Sequence, residues 1–264
     1  MALVRSETRN GVCTITLADV ERRNALSRDL TAEFITAIDQ AEKDTSVRVV
    51  VITNDGPVFC AGANLSERSE APAQDSASTA INPLALFGRF RHSPKPYVGR
   101  IAGHCVAGGM GLAAGLDITI ASANSKFGFT EVRVGVAPAM ISVVCLPKMR
   151  LADAQSSFLR GNRFSAVEAA AMGLITSSVP DADLDDAVEE VVSDLLAGGP
   201  RAIAAAKQLL VRVPTMNESE AFDFTSDFSS QLFRSDEARE GMTAFLEKRP
   251  PSWTVVPHTD SAKP

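Results

Sequence analysis

The 264-residue sequence has no excess of basic charge: 26 Lys+Arg stand against 32 Asp+Glu, a formal net charge of −6. Binding to nucleic acid or to an anionic membrane depends on clustered cations, so those partner classes are excluded. Cysteine is sparse: Cys13, Cys60, Cys105 and Cys145 lie far apart and form no CxxC. They read as reduced core thiols of a cytoplasmic protein, and no metal site is expected. Histidine is scarcer still, with only His92, His104 and His258 as candidate bases. The start MALVRSETRNGVCTITL lacks the basic-then-apolar block of a secretory signal, so no export is expected. Residues 101–121 form the one long apolar run, with Gly111 and Gly115 in a GxxxG. Its glycines would weaken a membrane helix and Asp117 would be unpaired in lipid, so a buried strand, a glycine turn and a short helix are expected instead.

What is present is an ordinary globular composition, 45% hydrophobic and 22% charged. Residues 12–17 alternate in polarity, and VRVVVIT at 47–53 is continuous and β-branched, the pattern of a strand covered on both faces. Between them Ser27 is placed to cap a helix carrying Leu30, Phe34, Ile38 and Ala41 on one stripe. This order predicts an α/β protein with crossover helices. Residues 66–82 (SERSEAPAQDSASTAIN) are small, polar and aperiodic, the composition of a mobile binding flap. Ser165 and Glu168 form a capping box on a short helix closed by Gly173. From Gly198 the pattern is helical throughout: 201–213, 218–233 and a last helix capped by Ser235 and stopped by Pro250 and Pro251. The chain is therefore divided into a core of residues 1–197, a helical region of 198–252 whose apolar stripes need a partner subunit, and a frayed tail from about 252–253 to 264.

The densest chemical signal is Gly103-His104-Cys105-Val106-Ala107-Gly108-Gly109-Met110-Gly111 ahead of an apolar helix. Glycines there leave N–H groups bare at a helix N-terminus, where negative charge is favoured. Three readings are open. Gly109-Met110-Gly111-Leu112-Ala113-Ala114 matches the dinucleotide fingerprint G-x-G-x-x-A, with Glu131 about twenty residues on as the ribose-binding acid. Gly103 to Ala107 could be a degenerate nucleophile elbow with Cys105 as thiolate. Or this turn and a second one, Phe59-Cys60-Ala61-Gly62-Ala63-Asn64-Leu65, could each give one N–H to an oxyanion hole for a thioester enolate.

Six segments in order carry a resemblance that bears on the choice: Arg22-Arg23-Asn24-Ala25-Leu26, then VVVITNDGPVFCAGANL at 49–65, then 102–121, FGFTEVRVGVAP at 127–138, RFSAVEAAAMGLI at 163–175 and EGMTAFLEKR at 240–249. The chain resembles the crotonase (enoyl-CoA hydratase/isomerase) superfamily over nearly its whole length. The resemblance implies a spiral of β-β-α turns, a C-terminal helical trimerisation region, and assembly as a homotrimer or dimer of trimers. It implies an acyl-CoA thioester as substrate in fatty-acid or acyl-CoA metabolism, with coenzyme A as part of that substrate and no separate cofactor. It puts the oxyanion donors on Ala63 and Gly108 and the acid/base on Glu131. Ala25, Ala61, Gly62, Asn64, Leu65, Gly109, Gly111 and Ala139 are implied to line the substrate site, with Arg22, Arg23 and Lys248 reaching coenzyme A.

Apolar neighbours at Phe127, Phe129 and Val132 should favour the neutral form of Glu131, unless it is held in an ion pair, with Arg133 the nearest cation in sequence. The departures from the family pattern lie on the water-holding side. Gly111 stands where hydratases of the family have their other glutamate, Asn64 where aspartate is frequent, and Ala139-Met140-Ile141-Ser142 where a glycine-rich turn is expected. Hydration divides its tasks between two carboxylates. A 1,3 proton shift in a β,γ-unsaturated thioester needs one base. Hydration and Δ3,Δ2 isomerisation both stay open at this point, as does a binding subunit that has lost turnover.

Overall fold

The computed structural model describes residues 2–70, 82 and 84–254. The first elements are β1 (Val4–Arg9), β2 (Val12–Leu17), α1 (Arg28–Lys43), β3 (Val49–Asn54), β4 (Val58–Cys60) and α2 (Leu65–Glu70). Then come α3 (Arg89–His92), β5 (Tyr97–Ile101), β6 (His104–Val106), α4 (Gly108–Gly115), β7 (Ile118–Ser122), β8 (Lys126–Gly128), α5 (Ala139–Cys145) and α6 (Leu151–Arg160). The remainder is β9 (Phe164–Ser165), α7 (Ala166–Ala171), β10 (Ser177–Val179) and four helices: α8 (Leu184–Ala197), α9 (Pro200–Arg212), α10 (Glu218–Phe233) and α11 (Asp236–Glu247). The long apolar run at 101–121 thus breaks into strand, helix and strand. No helix among the described residues is long and apolar enough to cross a membrane.

Successive strand pairs split between two sheets, which is what makes the core a spiral. From β3 on, one strand of each pair lies in a six-stranded sheet in the order β1-β2-β3-β5-β7-β10, which also holds the β1–β2 hairpin, and the other in a four-stranded sheet in the order β4-β6-β8-β9. Pairing is parallel except for β1 with β2 and β8 with β9. The alternation in β2 is realised as alternating burial, and every residue of β3 is buried. Val50 and Ile52 face Leu30, Phe34 and Ile38 of α1 in the main core, while Val49 and Val51 join Val98, Ile120, Leu184 and Val188 on the face covered by α8. A strand read as buried on both sides is buried on both sides because helices lie on each.

The caps fall where sequence places them. Ser27 Oγ accepts from Leu30 N–H at 3.2 Å, and Ser165 with Glu168 forms the reciprocal box. The four cysteines are free and buried. The tail expected to fray from Ser252 is held at its first residues: Ser252 N–H bonds Glu240, and the Trp253 indole donates to Ala197 O at 3.0 Å. Residues 255–264, and residues 71–81 of the expected flap, lie outside the described residues.

The C-terminal helices leave apolar side chains uncovered. No residue of α10 is buried, and Phe222, Phe233, Phe245 and Leu246 are each more than half exposed. One tie between this region and the core is ionic. Lys207 of α9 is buried, and its Nζ donates to Phe90 O (2.8 Å), Lys95 O (2.7 Å) and Asp117 Oδ2 (2.5 Å). Asp117 Oδ2 also accepts from Tyr97 N–H at 2.8 Å. The aspartate that argued against a membrane span has its counter-ion 90 residues away. Removing one member leaves the other charge buried and unpaired, so Lys207→Met should lower stability by about 3 kcal/mol or more in urea unfolding. A loss under about 1 kcal/mol would show that the pair contributes no more than a surface bridge.

Candidate active site

Two glycine-flanked turns meet at the ends of β4 and β6, which run parallel with Cys60 opposite Cys105. Their contact is close enough to exclude a side chain at Gly62 and to bring Gly108 into van der Waals contact with the first turn. A Cβ on Gly62, which has φ +89°, would lie 2.6 Å from Ala107 Cβ and 3.0 Å from Gly108 N. One on Gly108 would lie 3.4 Å from Gly62 Cα and 3.6 Å from Ala63 N. The first turn is fixed by Leu26 N–H donating to Gly62 O at 2.7 Å, and the second by Ala107 N–H donating to Gly128 O at 2.9 Å. Ala107 itself sits at φ 50°, ψ −126°, a conformation an L-residue holds only when its surroundings enforce it. That strain turns the chain into α4 with Gly108 at its first position. Among the described residues no backbone partner accepts the N–H of Ala63 or of Gly108.

Both residues line a cavity of about 470 Å³. Its wall is built from Leu26, Leu65 and Phe87 on one side and from residues 130–141 on the other. Glu131 is the only carboxylate among the described lining residues, and it stands on a 3-10 turn, Thr130–Val134. Its Oε2 is buried without a hydrogen-bond partner. Burial pushes its carboxyl above the ordinary value, opposed only by a bond to its own backbone N–H. The ion pair with Arg133 considered from sequence does not form: the guanidinium donates to Gly161 O and Arg160 O instead.

Of the residues the sequence singled out, Ala61, Ala63, Leu65, Gly108, Glu131 and Ala139 line this cavity, whereas Arg22, Arg23, Ala25, Gly62, Asn64, Gly109, Gly111 and Lys248 do not. Gly62, Gly109 and Gly111 lie behind the wall. A Cβ on Gly109 would sit 2.6 Å from Cys60 O, so this glycine packs α4 onto β4 and offers no room for a phosphate. Asn64 caps α2, accepting from Ser66 N–H at 3.2 Å. The segment of Arg22, Arg23 and Ala25 runs beside the first turn, with Ala61 N–H donating to Arg23 O, and Lys248 ends α11 at φ 56°. Cys105 is fully buried and its thiol is pushed well above its usual range by burial, so it is no thiolate nucleophile. Sequence reasoning missed Ala107, whose strain has no composition signal. It also missed Asn24, wholly buried, whose amide donates to Asp55 O and Val58 O and so anchors the loop beside the first turn.

With this geometry in view, the comparisons are decisive. The sequence profile of the Enoyl-CoA hydratase/isomerase family matches residues 7–255. The chain belongs to the enoyl-CoA hydratase/isomerase family. An enoyl-CoA hydratase of Mycobacterium tuberculosis is 31% identical over 251 residues, covering 94% of each chain. A 1,2-epoxyphenylacetyl-CoA isomerase of Escherichia coli is 31% identical, covering 96% of this chain and 99% of its own. The crystal structure of an enoyl-CoA hydratase from Mycobacterium smegmatis superposes with a TM-score of 0.89 at 29% identity, over 95% of this chain and 98% of that one. The crotonase fold with its C-terminal helices is therefore the fold of this protein, and neither the dinucleotide nor the thiolate reading survives.

Within the family frame, the space at Gly111 becomes informative. A Cβ there would overlap Cγ2 of Ile141 and lie 3.0 Å from Phe87 Cδ1. Ile141 of α5 and Phe87, both cavity-lining, thus occupy the volume that any side chain at 111 would need. The helical stretch that replaces the expected glycine-rich turn after Pro138 supplies the plug. Gly111→Ala should therefore destabilise the protein by about 1–3 kcal/mol through overpacking, and Ile141→Val in the same chain should recover part of that loss in thermal unfolding. Additive losses would show that the two positions do not compete.

Proposed function

We propose that this member of the family is an acyl-CoA isomerase that shifts a double bond from the β,γ to the α,β position of a thioester. The N–H groups of Ala63 and Gly108 bond the thioester oxygen, and they stabilise it most when negative charge accumulates there as the α-proton leaves. Glu131 takes that proton as a carboxylate and returns it to the γ-carbon of the dienolate, so the base is regenerated and no water is consumed. The observation that carries this reading is a single unpaired carboxylate in an apolar cavity, with Ile141 and Phe87 where a second acid would have to enter. Hydration needs a group to hold water opposite Glu131, and none of the other described lining residues is acidic.

Arg22, Arg23 and Lys248 are assigned to the coenzyme A phosphates in this proposal, Lys248 from another copy of the chain. Self-association through α9–α11 into a homotrimer would cover their exposed phenylalanines and carry Lys248 towards a neighbouring cavity. Mass measurement in solution should give three chains or a multiple of three.

Absorbance of the conjugated thioester tests the reaction. A 3-enoyl-CoA should gain absorbance on mixing with the protein, and crotonyl-CoA should stay unchanged. Loss with crotonyl-CoA would replace isomerisation by hydration, and no change with either would reduce the protein to a binder. Glu131→Gln should cost at least ~10²-fold in kcat, the scale of acid/base catalysis.

The pH dependence has a defined sign. Burial raises the Glu131 pKa above 4.5, and the working form is the carboxylate, so kcat/KM should fall as pH drops through that raised value. Stability should move the other way: the unfolded chain ionises first, so the glutamate costs stability progressively as pH rises through 4.5 to the folded value. Glu131→Gln removes that loss, so the inactive variant should show a flatter decline of stability over this interval than the native chain. Identical pH profiles of stability would contradict a buried acid at 131.

A further inference from the structure

Apart from a bond from its own backbone N–H, the Glu131 carboxyl has no hydrogen bond that fixes it, and Oε2 is buried without a partner. Its backbone is closed only within the turn, where Glu131 O accepts from Val136 N–H at 3.2 Å; the turn Thr130–Val134 has no buried residue of its own, and Val132, Val134 and Val136 are exposed. A base carried on a short exposed turn must be positioned from outside that turn. Two contacts do this. Ahead of the turn, Phe129 is fully buried and packs on Phe158 of α6 with ring centroids 4.2 Å apart. Behind Glu131, Arg133 Nε donates to Gly161 O and Nη2 to Arg160 O, each at 3.2 Å. These are carbonyls at the C-terminus of α6, which lack helical partners and carry the negative end of the helix dipole, so a guanidinium fits them in number and in sign.

Gly161 completes the joint. It ends α6 at φ +57°, and a Cβ there would lie 2.6 Å from Val132 Cγ2 and 3.1 Å from Arg133 Cγ. The turn is thus seated directly on the helix end, with no space for a side chain between them.

We infer that Arg133 is a positioning residue: by clamping the Glu131 turn to the C-terminus of α6 through Gly161 and Arg160, it holds the catalytic carboxylate in register with the Ala63 and Gly108 amides. This rests on the reading of Glu131 as the proton carrier. Arg133 lines the cavity, but its fork is directed to main-chain carbonyls, so it acts on geometry and not as a counter-ion for Glu131.

The test uses the full-length protein and 3-enoyl-CoA isomerisation. Arg133→Met should lower kcat roughly ten- to a hundredfold, the cost of a displaced catalytic group, with KM changed less than about twofold. Arg133→Lys, which can reach one carbonyl, should recover part of kcat, and the acidic limb of the pH profile should stay in place in both. Gly161→Ala offers an independent route, since it unseats the turn while leaving the arginine intact, and it should give the same kcat loss. Combined with Glu131→Gln, Arg133→Met should add no further loss, because it works only through that carboxylate. Hydrogen exchange supplies a readout that needs no turnover: amides of residues 130–136 should exchange faster in Arg133→Met and those of α4 should not. Unchanged kcat with unchanged exchange overturns the inference. A KM rise with kcat intact also overturns it, making Arg133 a substrate contact. An active Glu131→Gln variant would instead remove the proton-carrier reading on which the inference stands.

Discussion

The close approach of two turns, at the ends of parallel strands β4 and β6, governs everything else in this protein. Strand pairing brings Cys60 beside Cys105, and from there each chain must leave its sheet at once. Gly62 does so with a positive φ, and Ala107 does so under strain that a free chain would relax. Any side chain on Gly62 would push the second turn away from the first. The buried core behind the turns, including Phe59, Cys60, Cys105 and Met110, is fully shielded from solvent and prevents that relaxation. A backbone conformation that costs energy locally is thereby held by packing free energy gathered over the two sheets.

From that joint the rest follows in layers. The spiral supplies the strands, α1 and α8 bury the two faces of the larger sheet, and the buried Lys207–Asp117 pair fastens the C-terminal helices to the core. The cavity wall opposite the turns is different in kind. It consists of a short 3-10 turn and the start of α5, with exposed valines and Met140; the turn is kept in place by contacts to α6 and α5 by packing on α4. A rigid pair of amides therefore faces a wall whose turn is set by the Phe129–Phe158 contact and two arginine hydrogen bonds. In the proposed reaction such a division would place electrostatic stabilisation on the stiff element and the proton carrier on one more easily altered by substitution.

Apolar packing at Gly111 shows how two distant positions fill one space. Glycine alone would leave a void beside the cavity. Ile141 and Phe87 close it. Gly111 of α4 and Ile141 of α5 thus share one volume, although the two positions are far apart along the chain.

How much of this the sequence carried can be judged residue by residue. The alternation of β2, the continuous β-branched run of β3, the Ser27 cap and the Ser165–Glu168 box were legible, because each depends on neighbours within a few residues and on a fixed period. So was the raised pKa of Glu131, since its apolar neighbours are adjacent in sequence. The family motifs pointed to Ala63 and Gly108. What the sequence could not contain was long-range: that Asp117 meets Lys207, that Asn24 ties two loops, that Ala107 is strained, that Arg133 faces the end of α6 and not Glu131, and that Ile141 fills the space at Gly111. Local propensity and periodicity are properties of short stretches and are written in order along the chain. Which distant atoms share a volume is decided only when the sheets stack, because steric exclusion and burial act between segments that the sequence keeps apart.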